Sequence, residues 1–255
     1  MIQELFGLHS KIALVTGAAQ GIGYTLAEGL GRAGASLVLN DINKSRLDKA
    51  LRRLEKQNIK AKGSLFDVRD EKAVIREINR TQREVGPIDI LVNNAGIQIR
   101  GSLEKFEVKK WQEIIDTNLT SVFLVSRTVV QTMIKRGGGK IINICSVQSE
   151  LARPTIAPYT ASKGGVKMLT KGMATDWGKY NIQVNGLAPG YIKTLLTKPL
   201  YEDEKFDTWL RSRTPANRWG NTEELVGGAI YLASKASDYV NGHILYVDGG
   251  LISCV

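Results

Sequence analysis

The chain has 255 residues, of which 43% are hydrophobic and 24% are charged, a composition typical of a packed globular protein and not of a disordered one. Its net charge of +10, from 35 Lys and Arg against 25 Asp and Glu, permits polyanion binding. However, the basic residues of segments such as 44–62 are interleaved with Asp48 and Glu55, as on a solvated helix face. We therefore expect no nucleic-acid partner.

The sequence also argues against secretion, membrane insertion and metal binding. Residues 1–8 include Glu4 and no long apolar run, unlike a secretory signal, and no apolar stretch is long enough to span a bilayer. Cys145 and Cys254 are far apart, and the two histidines are isolated, so their spacing indicates neither a disulfide framework nor a metal site. We expect a cytoplasmic protein with no metal and no membrane partner.

Short apolar runs alternate with longer helical patterns along the chain, which is typical of an α/β fold with a parallel sheet. The first strand is predicted over residues 11–16 and the first helix over 21–33. Six further strands are predicted over residues 36–40, 61–66, 89–92, 140–145, 183–187 and 243–247. The runs at 12–15 and 36–39 are continuously apolar, as expected for strands buried on both faces. The pattern predicts a doubly wound sheet of seven parallel strands flanked by helices.

One segment departs from this alternation. Residues 195–216 are polar and aromatic, and they lie between Pro189 and Pro215. Their place after the sixth predicted strand suits a segment that covers a substrate. Because no linker, repeat or low-complexity tract divides the chain, we expect residues 1–255 to form a single domain for cofactor binding and catalysis.

A glycine-rich turn follows the first predicted strand and opens the first helix. Its glycines, Gly17, Gly21 and Gly23, have the spacing G-x-x-x-G-x-G. Glycine lets a backbone approach a pyrophosphate closely, and the free N–H groups of a helix N-terminus attract its negative charge. Such turns also serve simply to pack a strand against a helix. Asp41, at the end of the second strand, strengthens the prediction of a Rossmann-type dinucleotide site, because an acidic side chain there can bind the adenosine ribose.

The cofactor is either NAD or NADP. A carboxylate at Asp41 repels a 2′-phosphate and so favours NAD. Lys44 and Arg46 are close enough in sequence to neutralise such a phosphate. Both cofactors therefore remain open.

Tyr159 and Lys163 are four residues apart at the start of a long helical pattern, so they share one helix face. A nearby ammonium stabilises a phenolate and brings a tyrosine towards the range useful for general acid/base chemistry. Ser146 ends the preceding strand, where its hydroxyl can bind a reacting oxygen. In an arbitrary helix the Tyr-x-x-x-Lys pattern is a surface pair, but here it accompanies a dinucleotide site. Together these features predict hydride transfer between a nicotinamide and an alcohol or ketone.

In their order and spacing, the motifs of the whole chain resemble those of the short-chain dehydrogenase/reductase family. The resemblance implies a catalytic tetrad of Asn118, Ser146, Tyr159 and Lys163, with Asn118 interrupting regular helix bonding to hold a proton-relaying water. Residues 93–96 resemble the segment that stabilises the central sheet. The cofactor contacts that the glycine turn and the resemblance together imply are Gly17, Gln20, Gly21, Ile22, Gly23, Asp41, Asp67, Val68, Asn94, Ala95, Gly96, Tyr159, Lys163, Pro189, Gly190, Ile192 and Thr194.

Local strings are similar to the subgroup of that family that interconverts gluconate and 5-ketogluconate. These strings include residues 143–146, 213–216 and 240–243. The resemblance implies a small-molecule sugar-acid substrate and a homo-oligomer, with the homotetramer of the family as the expected assembly. Alternatives are another carbonyl substrate, such as a 3-oxoacyl thioester or a polyol, and a non-catalytic module that senses the cofactor.

A sugar acid needs a counter-charge near the tetrad. Arg100 follows residues 93–96, and Arg153 lies between Ser146 and Tyr159, so the topology directs both arginines towards the carboxyl edge of the sheet. An arginine binds a carboxylate through two parallel hydrogen bonds. Each arginine is alternatively a solvated charge or an interface contact. The predicted substrate contacts are Arg100, Ser146, Gln148, Glu150, Arg153 and Tyr159.

Overall fold

The computed structural model describes residues 1–254, and these form one sheet of seven parallel strands in the order β3-β2-β1-β4-β5-β6-β7. The strands are β1 Ile12–Val15, β2 Ser36–Asp41, β3 Ala61–Leu65, β4 Ile90–Asn93, β5 Gly139–Ile144, β6 Ile182–Pro189 and β7 Ile244–Val247. In the register, Ala13 of β1 lies beside Leu37 of β2 on one side and Ile90 of β4 on the other. The fold predicted from the sequence is confirmed.

Ten α-helices connect and flank the strands of the described chain. They are α1 Ile2–Phe6, α2 Gly21–Arg32, α3 Lys44–Glu55, α4 Glu71–Glu84, α5 Val108–Ile115, α6 Ser121–Arg136, α7 Ala157–Trp177, α8 Lys198–Tyr201, α9 Glu204–Arg213 and α10 Val226–Ala233. Side-chain caps fix three of the starts, because Asn43 accepts a hydrogen bond from the Arg46 amide (2.9 Å), Asp70 accepts one from the Ala73 amide (3.1 Å) and Asp203 accepts one from the Phe206 amide (3.1 Å). Such caps satisfy amides that have no partner inside the helix.

Each face of the sheet carries its own apolar core. On one face, Ala13 and Val15 of β1 pack with residues of α2, α3 and α10. On the other face, Leu14 of β1 packs with residues of α4, α6 and α7. Successive strand residues point to opposite faces, so burial on both faces requires an unbroken apolar run. This requirement explains why the strands were visible in the sequence.

The observed strand ends differ from the predicted ones by one or two residues. Asp89, predicted to begin the fourth strand, instead lies before β4. Its carboxylate accepts a hydrogen bond from the Ile12 amide (2.9 Å) and pairs with Arg136 (3.1 Å). Asp89 therefore ties the start of β1 to the end of α6.

The strand order reverses between β1 and β4, where consecutive connections leave in opposite directions. Loops at the carboxyl ends of such strands enclose a crevice, which is the usual ligand site of open α/β sheets. Among residues 1–254, no helix is long and apolar enough to cross a membrane.

Candidate active site

A cleft of about 620 Å³ lies at the carboxyl ends of the strands. Loops that follow β1 to β6 contribute to its wall, and the glycine turn and Tyr159 both line it. Motifs separated by more than 130 residues in the sequence therefore meet at one crevice. Of the cofactor contacts expected from the sequence, all lie in the cleft wall.

The glycine turn has a backbone conformation that depends on its glycines. Gly17 and Gly21 have φ values of +61° and +57°, a region that favours glycine. A Cβ at Gly17 would lie 2.9 Å from Ala95 Cα, and one at Gly23 would lie 2.3 Å from Asn94 Nδ2. At Gly21, by contrast, an added Cβ would meet no atom of the described chain within 4 Å. The turn thus packs closely on one side and leaves room on the other, next to the N-terminus of α2, which fits a dinucleotide.

Asp41, the residue expected from the sequence to bind the adenosine ribose, lines the cleft and is 7% exposed. Its carboxylate accepts hydrogen bonds from the amides of Asn43 (2.9 Å) and Ala19 (3.4 Å). Arg46 also lines the cleft, and its guanidinium Nη2 lies 3.9 Å from Asp41 Oδ1. Lys44 instead pairs with Asp48 (2.8 Å), away from the cleft. Of the two cations considered from the sequence, Arg46 is therefore the one beside Asp41.

Asp67 and Val68 also line the cleft. Arg69, which the sequence analysis did not single out, donates two side-chain hydrogen bonds to Asp67, at 3.0 and 2.7 Å. Burial alone raises the pKa of Asp67, but the hydrogen bonds from Arg69 outweigh it and hold the pKa below its ordinary value. Asp67 is therefore ionised at neutral pH and already has a cationic partner.

The loop after β4 is fastened to the glycine turn. Thr16 Oγ1 accepts hydrogen bonds from the amides of Asn94 (3.0 Å) and Ala95 (3.1 Å). The Asn94 side chain donates in return to the carbonyls of Thr16 (2.9 Å) and Gly17 (3.1 Å). Because these bonds join β1 to β4 at the point where the strand order reverses, they hold the two walls of the cleft together.

A buried polar chain runs beneath the cleft. Asn93 on β4 donates to Asn143 Oδ1 on β5 (2.8 Å) and to Ser126 Oγ on α6 (2.8 Å). Asn143 in turn donates to Thr170 Oγ1 on α7 (2.9 Å). Buried amides are stable only with partners, so this chain links both central strands to the two helices that carry the site.

Asn118 lies in a five-residue π-helical turn, Asp116–Thr120, between α5 and α6. Its side chain accepts from the Ile97 amide (2.8 Å) and donates to the Ile97 carbonyl (2.9 Å) and to Ser162 Oγ (3.1 Å). Such π-turns occur mostly as local bulges at functional sites. The regular helix bonding is interrupted at Asn118, as the family resemblance implied.

Tyr159 and Lys163 lie on the first two turns of α7, with Lys163 Nζ 5.8 Å from the centre of the Tyr159 ring. Lys163 Nζ donates a hydrogen bond to the Ile144 carbonyl (2.6 Å), which anchors α7 to the end of β5. Ser146 follows that strand, and its hydroxyl accepts a bond from the Gln148 amide (3.1 Å). All three side chains line the cleft.

Burial sets the ionisation of this pair. It raises the pKa of Tyr159 to about 12, although a hydrogen bond with Ser146 acts in the opposite direction. It also lowers the pKa of Lys163 to about 8. From the sequence we expected the Lys163 ammonium to lower the pKa of Tyr159. The structure does not bear this out, because the desolvation of the buried phenolate outweighs the interactions that stabilise it. At neutral pH the Tyr159 phenol is protonated and Lys163 is mostly charged.

The nicotinamide end expected from the sequence is formed by the end of β6 and the following loop. A Cβ at Gly190 would lie 2.7 Å from Asp248 Cα, so a side chain would not fit there. The loop continues through Ile192, which is buried, to Thr194. Thr197 Oγ1 donates to the Ile192 carbonyl (2.6 Å) and accepts from the Thr194 amide (2.9 Å). These bonds fix the loop at the cleft wall.

Some of the substrate contacts expected from the sequence line the cleft, and others do not. Arg153 and Gln148 line the cleft together with Ser146 and Tyr159. Arg100 is exposed and does not belong to the cleft wall within residues 1–254. Burial first, and then the charge of Arg153, lower the pKa of Arg100, so the two guanidinium groups are close enough to repel each other.

Glu150, predicted from the sequence to contact the substrate, does not lie in the cleft. Its carboxylate contacts Lys167 Nζ and accepts a hydrogen bond from Tyr246 Oη (2.6 Å). It is exposed and lies outside the cleft wall in the part of the chain that the structure describes. The partner Tyr246 lies 96 residues away in the sequence, so no local pattern indicates this contact.

Sequence reasoning also missed Tyr191 and Phe206. Tyr191 lines the cleft and directly follows Gly190. Its position next to the Pro-Gly turn could have identified it as a cleft residue from the sequence. Phe206 lies on α9 within residues 195–216, and its ring is 5.6 Å from that of Tyr191. Leu195, Leu196 and Leu200, from the same segment, line the cleft as well.

Comparison with known proteins agrees with this geometry. The family model described as short chain dehydrogenase matches residues 11–205. Gluconate 5-dehydrogenase of Gluconobacter oxydans (strain 621H) is 57% identical over 97% of both chains. The 5-keto-D-gluconate 5-reductase of Escherichia coli (strain K12) is 51% identical over the full length of both.

A solved structure is similar over the whole chain as well. It is a gluconate 5-dehydrogenase from Burkholderia cenocepacia J2315 in complex with NADP and tartrate, with 53% identity, full coverage of both chains and a TM-score of 0.98. A doubly wound sheet, a glycine turn beside the cleft and a Ser, Tyr and Lys set within it accompany these matches. The chain is therefore a member of the short-chain dehydrogenase/reductase family and an NAD(P)-dependent oxidoreductase.

Proposed function

We propose that this oxidoreductase interconverts gluconate and 5-ketogluconate, with NADP as a cofactor. The observation that carries the proposal is the presence of unpartnered polar groups beside the Ser, Tyr and Lys set. Arg153 Nε and Gln148 Oε1 are buried in the cleft wall and have no hydrogen-bond partner among residues 1–254. Buried polar groups without partners are rare. A cation and an amide oxygen suit a ligand that carries both a carboxylate and hydroxyl groups.

Tyr159, Ser146 and Lys163 perform the proton chemistry in this proposal. The nicotinamide, when bound, accepts or supplies the hydride. Ser146 Oγ holds the substrate oxygen by a hydrogen bond, and Tyr159 Oη donates a proton to it during reduction or accepts one during oxidation. Since the pKa of Tyr159 is about 12, its phenol is ready as the acid for reduction at neutral pH. For oxidation, Tyr159 must first lose its proton to solvent, so that the phenolate can accept the proton of the alcohol, and the charged Lys163 nearby favours that phenolate.

Asn118 completes the proposed tetrad from a distance. Its amide nitrogen bonds Ser162 Oγ, which belongs to the same helix turn as Tyr159 and Lys163. The Ser162 hydroxyl donates to the Tyr159 carbonyl (2.7 Å). Asn118 therefore supports the first turn of α7 and sits where the opened helix bonding of residues 116–120 gives a water access to a carbonyl.

Arg153 is the proposed carboxylate ligand, with Arg100 as a more distant positive charge. A guanidinium fork holds one end of a sugar acid and so selects which carbon faces the nicotinamide. Residues 195–216 are proposed to cover this end of the substrate. Glucitol, which carries an alcohol in place of the carboxylate, is the uncharged analogue of gluconate and provides a matched test of this idea.

The test is an initial-rate assay with gluconate, 5-ketogluconate, glucitol and a 3-oxoacyl thioester, each with NAD(H) and NADP(H). We expect turnover of the two sugar acids, with kcat/KM for gluconate far above that for glucitol. In Arg153→Met this preference should fall by about 10-fold or more, because a hydrogen bond to a charged group contributes roughly 1.5–3 kcal/mol. Arg100→Met should have a smaller effect.

Each alternative predicts a different result. If the enzyme turned over the thioester or glucitol faster than gluconate and 5-ketogluconate, that compound would be the better substrate and the sugar-acid proposal would be wrong. Cofactor binding without turnover of any substrate would favour a cofactor-sensing module. Equal losses for gluconate and glucitol in both arginine variants would contradict the carboxylate contact. We also propose a homotetramer, which sedimentation at micromolar concentration tests directly.

A further inference from the structure

We propose that Phe206 and Tyr191 position the Arg153 guanidinium, and that this aromatic support determines the preference of the enzyme for anionic substrates. The inference rests on the proposed function, in which Arg153 binds the substrate carboxylate. Phe206 and Tyr191 are positioning residues in this scheme. They act through Arg153, and neither is assigned to the proton transfer.

Phe206 supports one face of the arginine. The Arg153 guanidinium lies 5.3 Å from the centre of the Phe206 ring, within the range of a cation–π contact. A guanidinium that stacks on a ring keeps its N–H groups in the plane, where they remain free to donate. Arg153 Nη1 contacts the Pro154 carbonyl only weakly, at 3.4 Å. The Phe206 ring therefore orients the Arg153 guanidinium, which the weak contact with the loop of Arg153 itself does not do.

Tyr191 constrains the arginine from a second direction. Its hydroxyl accepts a hydrogen bond from Gln148 Nε2 (3.4 Å) and interacts with the Arg153 guanidinium. The Tyr191 hydroxyl thus links the two side chains that carry unpartnered atoms, Arg153 Nε and Gln148 Oε1. With Tyr191 and Phe206 on two sides, the orientation of the unpartnered Nε is fixed before a carboxylate arrives, which reduces the ordering cost of binding.

The aromatic support is itself anchored to the body of the protein. The Tyr191 ring meets Phe206 at 5.6 Å and the buried Trp219 at 5.7 Å. Trp219 Nε1 donates to Asp207 Oδ1 (2.7 Å), and Leu210 on the next turn of α9 is fully buried. These contacts hold α9 against the loop that carries Tyr191. These contacts hold Phe206 beside Arg153, even though α9 belongs to the long segment that connects β6 to β7.

The experiment compares Phe206→Leu with the wild-type enzyme, using gluconate and glucitol as the charged and uncharged pair. Leucine keeps an apolar side chain but removes the ring face. We expect the ratio of kcat/KM for gluconate to kcat/KM for glucitol to fall by roughly 3- to 10-fold, the range of a partly desolvated cation–π contact. The loss should appear mainly in KM for gluconate. Phe206→Tyr, which keeps the ring, should retain the wild-type ratio.

Three controls separate positioning from general packing. Phe123→Leu removes a ring that supports another arginine, Arg127, at 5.2 Å on α6 and outside the cleft wall, and should leave the ratio unchanged. Tyr191→Phe removes only the hydroxyl and should lower the ratio in the same direction as Phe206→Leu. In an Arg153→Met background, Phe206→Leu should have no further effect on the ratio. Thermal unfolding and the Kd for NADPH establish that each variant is folded.

Several outcomes would overturn the inference. They are an unchanged ratio in Phe206→Leu, equal losses for gluconate and glucitol, or a loss in Phe123→Leu as large as that in Phe206→Leu. If Phe206→Leu does not fold, an unchanged ratio in Tyr191→Phe is decisive instead. Failure of the proposed function is distinct, because the wild-type enzyme would then show no preference for gluconate, or Arg153→Met would not alter that preference.

Discussion

Raising the pH from 6 to 10 should weaken NADPH binding, with an onset near pH 8 and a midpoint at about pH 8.5–9. Burial lowers the pKa of Lys163 to about 8 from its ordinary value of 10.5. The ammonium is then about nine-tenths charged at pH 7 and about one-tenth charged at pH 9. Tyr159 and Cys145, which face Lys163, have pKa values of about 12 and about 11. Neither of these two groups titrates appreciably in this window.

The size of the effect follows from the contact that is lost. Lys163 is one of the cofactor contacts that the family resemblance implies, and a charged hydrogen bond from its ammonium to the cofactor contributes roughly 1.5–3 kcal/mol. Its loss corresponds to a rise in Kd of about 10- to 100-fold. Most of this rise lies between about pH 8 and pH 10, because NADPH binds the charged form more tightly and so keeps Lys163 protonated to a higher pH in the complex than in the free enzyme. Fluorescence titration of NADPH at constant ionic strength measures this directly. Lys163→Met should bind weakly at all pH values, whereas Lys167→Met, altered one turn further along α7, should keep the midpoint.

The same shift has the opposite effect on folding stability. A lysine whose pKa is lower in the folded state destabilises the fold fully below pH 8, and the destabilisation disappears as the pH rises towards 10.5. The shift corresponds to about 3 kcal/mol, from which the lost hydrogen bond to the Ile144 carbonyl subtracts about 1 kcal/mol. At pH 7, Lys163→Met should therefore raise the Tm measured without NADPH while it weakens NADPH binding. A lower Tm together with a pH-independent Kd in the wild-type enzyme would refute the reasoning.

Three further predictions concern other parts of the cleft. Tyr159→Phe should reduce kcat by about 100-fold or more, the usual contribution of a general acid, with an NADPH Kd within about 2-fold of wild type; near-normal turnover would contradict the assignment. Asp41→Ala should raise the ratio of kcat/KM for NADP to that for NAD, because it removes a charge that repels the 2′-phosphate. Arg46→Met should lower this ratio, and Lys44→Met is the matched control. Unchanged ratios in the Asp41 and Arg46 variants would place the phosphate elsewhere. Asn118→Ala should destabilise the protein by roughly 0.5–1.5 kcal/mol in urea unfolding, because the partly buried amide and carbonyl of Ile97 lose their side-chain partner. Wild-type stability together with wild-type kcat would remove Asn118 from the site.

The fold was predictable because its physical causes are local. A strand buried on both faces must be continuously apolar, and a turn that approaches a pyrophosphate must contain glycine, so both features are written in short stretches of sequence. Residues 12–15 and Gly21 are clear examples. The same reasoning placed Ser146, Tyr159 and Lys163 at one edge of the sheet, since parallel strands end together.

What the sequence did not reveal depends on contacts between distant residues. The carboxylate of Glu150 is bound by Tyr246 and Lys167, and only the packing of β7 brings Tyr246 there. The pKa of Tyr159 was expected to fall, but it depends on how much water reaches the phenol, which the spacing to Lys163 does not determine. Phe206 could be placed in a covering segment, yet its contact with Arg153 follows from the angle of α9.

The buried amides of Asn93 and Asn143 have a consequence for how the sheet assembles. Apolar strands can slide past one another at little cost, provided that each slide keeps apolar side chains buried. Asn93 and Asn143 remove that freedom, because a displaced β4 or β5 would leave each buried amide without a partner at a cost of roughly 1–3 kcal/mol. The pair therefore specifies the native register of β4 against β5 at the centre of the sheet, and with it the positions of Ser146 at the end of β5 and of α7 beside it.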